Sequence, residues 1–77
     1  MIAEHERIVL TENLPEVGLE AGDVGTVVFV HAQGAAYEVE FLTLGGATAS
    51  VATVRAEQVR SVNQTDLVHT RSFAFSA

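Results

Sequence analysis

Glu38 and Glu40 stand two apart in the run Tyr37-Glu38-Val39-Glu40-Phe41, so in an extended chain both carboxylates project from one face. Paired carboxylates perform general acid–base chemistry when they sit in different environments around a cleft, one held protonated and the other ionised. Neighbours on an open sheet face share one environment, so this pair reads first as a solvated face and second as an acidic docking patch. The three histidines, His5, His31 and His69, show none of the i, i+2 or i, i+4 spacings that build a metal site, and they read as surface or strand-end side chains. Serine and threonine are plentiful, yet no Gly-x-Ser-x-Gly elbow occurs. Gly22-x-x-Gly25 is too short for a phosphate-binding loop, and no lysine exists to reach a phosphate. No catalytic, metal-ligating or cofactor-binding residue is assigned, and the expectation is a protein that is not an enzyme and carries no cofactor.

These side chains need a scaffold, and the patterning of the chain points to strands. Glu6-Arg7-Ile8-Val9-Leu10 alternates as a first strand, with Ile8 and Leu10 inward and Arg7 and Val9 outward. Thr11 to Asp23 carries Asn13, Pro15, Gly18 and Gly22 with no sustained period, so it reads as a long loop that Leu14, Val17 and Leu19 tuck onto the core. A loop of this length in a small domain is often where function lives, which makes Glu16 and Glu20 candidate contact residues.

Val24 to His31 is a second strand whose periodicity conflicts with itself. Val24, Thr26, Val28 and Val30 share one parity, while Val27 and Phe29 share the other. A bulge near Val27 or Val28 lets both sets be buried in turn and leaves Phe29 partly outside. Gln33-Gly34 supplies a turn, and a third strand over Tyr37 to Phe41 turns Tyr37, Val39 and Phe41 to the core. Gly45-Gly46 marks a tight turn into a fourth strand from Thr48 to Val54. Arg55 to Gln58 fits a single 3-10 turn, and Val59 to Val62 a brief closing strand. The expected fold is all-β: a small five-stranded SH3-like barrel over residues 1–62, with a long first loop in the RT-loop position. Residues 63–77 form a C-terminal tail whose Phe73 and Phe75 share one face. That tail is either a flexible terminus or a segment that pairs with a sheet edge, in its own barrel or in a second copy to give a homodimer.

With 77 residues the chain has room for one domain, which buries only about 60% of its unfolded surface. It has no cysteine, so neither a disulfide nor a thiolate zinc site can staple it, and the core must come from the 48% of hydrophobic residues. Met1 to Arg7 lacks the basic and apolar regions of a secretion signal, and no apolar run approaches the ~20 residues that cross a bilayer. The expectation is a cytoplasmic protein outside the membrane. The net charge is −6, from ten acidic residues against Arg7, Arg55, Arg60 and Arg71. Such a surface repels nucleic-acid backbones and suits a neutral or basic protein partner.

Leu10-Thr11-Glu12-Asn13-Leu14-Pro15, Gly18-Leu19, Ala21-Gly22-Asp23-Val24-Gly25-Thr26-Val27-Val28 and Ala36-Tyr37-Glu38-Val39-Glu40-Phe41 occur in this order. Together they resemble a family of small bacterial proteins catalogued as a domain of unknown function, number four-nine-two-six. The resemblance spans roughly Glu6 to Val62 and leaves the tail from Asn63 uncovered. It implies an SH3-like barrel, no established activity, and membership of small mobile gene modules in which an acidic single-domain protein often serves as an antitoxin or immunity partner. No binding residue carries over from it. The Val24-Gly25-Thr26-Val27 stretch is also similar to SH3-like accessory subunits of photosynthetic and ferredoxin-dependent complexes, and Gly22-x-x-Gly25-x-Val27 to KOW-type ribosomal and transcription modules.

The expected function is that of a non-enzymatic protein-binding module, of antitoxin or immunity type, docking through the long loop, the Glu38/Glu40 face and Phe29. Its candidate contact residues are Glu16, Glu20, Phe29, Glu38, Glu40, Phe73 and Phe75. The alternative is an accessory subunit of a redox or other enzyme complex. A KOW-like RNA-binding module comes third and requires Arg7, Arg55 and Arg60 to cluster on one face.

Overall fold

The computed structural model describes residues 1–75. Strand β1 (Arg7–Leu10) sends Ile8 and Leu10 into the core, both essentially fully buried. The loop that follows is folded on itself. Leu14 and Leu19 exchange backbone hydrogen bonds of 2.8 and 3.1 Å around a 3-10 turn, Pro15–Val17, and both leucines are buried. The amide of Gly22 donates to Leu10 O (2.8 Å) and that of Leu10 to Asp23 O (2.9 Å), closing the neck of the loop.

Strand β2 (Val24–His31) pairs first with β1 and then with β3 (Ala36–Leu42), so it serves both halves of the sheet. The ladder slips between Val27, opposite Val39, and Phe29, opposite Glu38, which makes Val28 the extra residue of a bulge. Two residues of the same nominal parity therefore part company: Val27 is fully buried, while Phe29 lies on the outer face and is 50% exposed. Val30, opposite Tyr37, packs partly buried against the core. Gly25 sits where a Cβ would come within 2.5 Å of Val39 Cγ1 and 2.8 Å of the Phe41 ring, so the bend is filled by its neighbours' side chains.

A 3-10 turn, Ala32–Gly34, joins β2 to β3, with Ala32 and Gln33 held at φ 47° and 59°. Tyr37, Val39 and Phe41 alternate inward as expected. The Gly45-Gly46 hairpin leads to β4 (Thr48–Arg55), and a 3-10 turn, Ala56–Gln58, leads to the three-residue β5 (Val59–Ser61).

All neighbours are antiparallel, in the order β4-β3-β2-β1-β5. Hydrogen bonds do not close this sheet into the barrel that the sequence suggested: β4 and β5 are its two edges. The reason lies in the connection. The chain leaves β4 through a 3-10 turn whose flanks bond elsewhere, Ala56 N to Ala35 O and Thr11 N to Gln58 O, and β5 spends its three residues on β1. The sheet is coiled nonetheless, because Val54 of β4 and Val59 of β5 belong to one buried cluster with Ile8, Leu10, Val27, Val39 and Phe41.

Two expectations are modified on the far side of β1. Val9 faces away from that cluster, as its parity requires, but is only 6% exposed. It lies between Val24 and Arg60 in the sheet and, with residues 66–73, lines a half-open cavity of about 870 Å³. Residues 62–75 contain no strand; Phe73 instead packs partly buried against the core from outside. Ser76 and Ala77, at the end of the proposed edge-pairing segment, lie outside the described residues.

Candidate functional site

The sequence-derived candidates fall into two groups. Phe29, Glu38 and Glu40 share the outer face of β2–β3–β4, where the register sets two cross-strand rows, Phe29–Glu38–Thr53 and Thr26–Glu40–Val51. Glu38 is not merely solvated. The Thr53 hydroxyl donates to its Oε2, and His31 Nε2 lies 2.7 Å from the same oxygen. These bonds, that of Thr53 first, hold the Glu38 carboxyl below its ordinary range. Glu40 accepts from the Thr48 hydroxyl at 2.9 Å. The Phe29 ring packs edge-on against His31, with centroids 4.8 Å apart. The bulged Val28 and Val51 are also exposed, so the face combines an aromatic ring, two valines and fixed carboxylates. Tethered side chains lose less freedom on binding than free ones, which favours such a face as a docking surface.

Glu16, Glu20, Phe73 and Phe75 gather around the loop. Glu16 is exposed on the Pro15–Val17 turn, and Glu20 lies 3.7 Å from Arg71 as an ion pair. Phe73 rests on Gly18, where an added Cβ would be 3.4 Å from its ring, and Phe75 meets Phe73 edge-on at 5.0 Å. The centre of this group is a pair that sequence reasoning missed. Arg71 donates from Nε to Asp23 Oδ1 (3.0 Å) and from Nη2 to Asp23 Oδ2 (2.6 Å), with a further bond from Nη2 to Gly18 O (2.9 Å). Burial opposes ionisation of Asp23, but Arg71 and the Glu20 amide outweigh it, and the carboxyl titrates below its ordinary range. A part-exposed pair of this kind contributes on the order of 1 kcal/mol. Forty-eight residues separate the partners, so no local spacing signals them.

The remaining arginines are dispersed in their bonding. Arg60 forks onto Asp66, with both bonds at 3.0 Å, and Arg55 pairs with Glu57 at 3.1 Å. Arg7 makes no ion pair with a described residue. Among the described residues no group of three or more His, Cys, Asp or Glu side chains is arranged to hold a metal, and no helix is long and apolar enough to cross a membrane.

A family model described as "Domain of unknown function (DUF4926)" matches residues 4–61. The chain belongs to the DUF4926 family. No curated protein and no solved structure matches it. The DUF4926 match takes in all five strands, the long loop and the Phe29/Glu38/Glu40 face. Arg71 and Phe73, which lie against the loop, and Phe75 beside them fall outside it.

Proposed function

We propose that this DUF4926 member is a non-enzymatic, cytoplasmic binding module on an SH3-like scaffold, and that it docks a neutral or basic protein through the outer face of β2–β3–β4. The observation that carries the reading is the half-exposed Phe29, turned outward by the bulge at Val28 and set beside the tethered Glu38. A ring in water beside fixed carboxylates offers an apolar anchor with a polar surround, the arrangement in which interface energy concentrates. The net charge of −6 favours encounter with a basic partner. In its specific form the partner is the product of an adjacent gene, and the module acts as its antitoxin or immunity protein.

The test is reconstitution. Basic proteins encoded beside the gene are mixed with the purified module and run on size-exclusion chromatography, alongside the Phe29→Ala and Glu38→Lys variants. Co-elution that both variants abolish supports the reading, and absence of any complex counts against it. Co-purification with an iron–sulfur or flavin protein would favour an accessory subunit of a redox enzyme instead.

A further inference from the structure

The loop between β1 and β2 carries hydrogen bonds of its own besides those that the tail makes to it. Asp23 Oδ2 accepts from the Glu20 amide at 2.8 Å, Asn13 Oδ1 accepts from the Ala21 amide at 2.8 Å, and the Leu14–Leu19 bridge fixes the base of the loop. The result is a cradle: a carboxylate in a set orientation with the Gly18 carbonyl beside it, next to an open cleft of about 480 Å³ that runs between Pro15, Val17 and Gly18 of the loop, Ala49 and Ser50 of the β4 end, and Phe73 and Phe75 of the tail. A guanidinium satisfies the Asp23 carboxylate and the Gly18 carbonyl together, because its planar fork meets both carboxylate oxygens in parallel with a donor left for the carbonyl, a geometry the point-like ammonium does not match. The Phe73 ring, two residues on, then lies against Gly18, 3.4 Å from where a Cβ would stand.

Besides Arg71, the tail that lies along this cradle has one other ion pair to the sheet, the Arg60 fork onto Asp66 at its start. Apart from a turn bond from Asp66 N to Asn63 O, residues 63–75 make no backbone–backbone hydrogen bond among the described residues. Leu67 and Val68 are 93% and 91% exposed. Beyond Asp66 the anchors are Arg71 and Phe73, and both are side-chain contacts that another chain could reproduce. The acidic rim of Glu16, Glu20 and Asp23 suits a cationic ligand.

We propose that the Leu14–Asp23 loop is a receptor for an arginine-x-aromatic segment of a partner protein, and that the tail occupies it in cis as a built-in competitor. The inference rests on the reading of the chain as a protein-binding module and gives that module a second, gated site. Tethering places the tail at an effective concentration in the millimolar range, roughly, so an incoming segment must match its chemistry and exceed its grip.

The probe is a labelled, end-capped peptide of the tail's own sequence, Thr-Arg-Ser-Phe-Ala-Phe, titrated into the full chain by fluorescence anisotropy. The Arg71→Ala/Phe73→Ala double variant, with its cradle vacated, is expected to bind the peptide at least ~10-fold more tightly than the wild type. Adding Asp23→Asn, or replacing the peptide's arginine by lysine, is expected to weaken binding by ~10-fold or more. If the double variant does not fold, Arg71→Gln with Phe73 retained carries the same titration. A folded, vacated variant that ignores the peptide, or that binds it regardless of Asp23 and of the arginine, overturns the proposal. So does a wild-type dimer by sedimentation that the vacated variant lacks, since the occupant is then a second copy's tail. Phe29 and Glu38 lie outside the cradle, so failure here leaves the β2–β3–β4 face standing, and failure of that face leaves the cradle standing.

Discussion

Gly25 and Gln33 hold opposite kinds of residue-scale constraint. At Gly25 the limit is space: a methyl group would press on Val39 and Phe41, both buried. Gly25→Ala is expected to destabilise the fold by about 1–3 kcal/mol, the usual penalty for overpacking, measured as a lower urea midpoint with an unchanged slope. At Gln33 the limit is backbone. A φ of 59° costs a side-chain-bearing residue roughly 1–2 kcal/mol, whereas glycine there costs roughly 0.5–1 kcal/mol in unfolded-chain freedom. The first term is larger, so Gln33→Gly should raise stability by about 0.5 kcal/mol in the same assay. That strained turn lies between His31 and Glu38 in sequence, and it returns β3 so that the two side chains meet. Glu38→Gln keeps the shape of the face and removes its charge, so a basic partner should bind it more weakly, and the melting temperature near neutral pH should fall modestly because the ionised Glu38 is held by Thr53 and His31.

Among the elements, the 3-10 turn Ala56–Gln58 decides how the sheet ends. Gln58 is the one buried polar side chain among the described residues; its Oε1 accepts from Arg55 N at 2.7 Å and its Nε2 donates to Glu12 Oε1 at 2.9 Å. Gln58→Leu leaves the Arg55 amide without that acceptor and should cost about 1–3 kcal/mol, read by chemical denaturation. Much of this architecture is legible in the sequence. The alternation of Tyr37 to Phe41, the two-parity conflict of β2 and the glycine pair before β4 are local signals, and they locate the strands, the bulge and the outward Phe29. Barrel closure is not a local signal. It depends on how far β4 and β5 can approach, and the short last strand and its preceding turn commit that edge to β1. The Glu38/Glu40 pair is legible as a face, but the tethering of Glu38 to His31 and Thr53 and of Glu40 to Thr48 depends on the cross-strand register and on the return of the chain at Gln33, which no local spacing shows. The Arg71–Asp23 latch joins a loop to a tail through space alone, and nothing within either segment announces the other.

For the whole molecule, charge sets the response to acid. The Ala3 amide holds Glu6 below the ordinary carboxylate range, Arg60 does the same for Asp66, and Asp23 and Glu38 are lowered as well. Each of these groups takes up its proton at higher pH in the unfolded chain than in the folded one. Their stabilisation is therefore complete above the unfolded values near ~4 and is lost as pH falls through the lower folded values. The melting temperature by circular dichroism should be level above about pH 5 and fall below about pH 4, less steeply in an Asp23→Asn/Asp66→Asn variant. Edges are the second property at this scale. β4 runs eight residues along an open edge with no lysine, and Val51 on it is 55% exposed. Val51→Lys should suppress concentration-dependent light scattering while changing stability by no more than about 0.5 kcal/mol. The other edge carries a topological consequence. Because β5 lies antiparallel on β1, with Ser61 opposite Ile8, the first and last strands of the sheet bring their outer ends together at one corner. A few-residue bridge there, with the chain reopened between Gly45 and Gly46, would reorder the sequence without breaking a ladder. The same corner lets the sheet be spliced into a surface loop of another protein as a self-contained cassette.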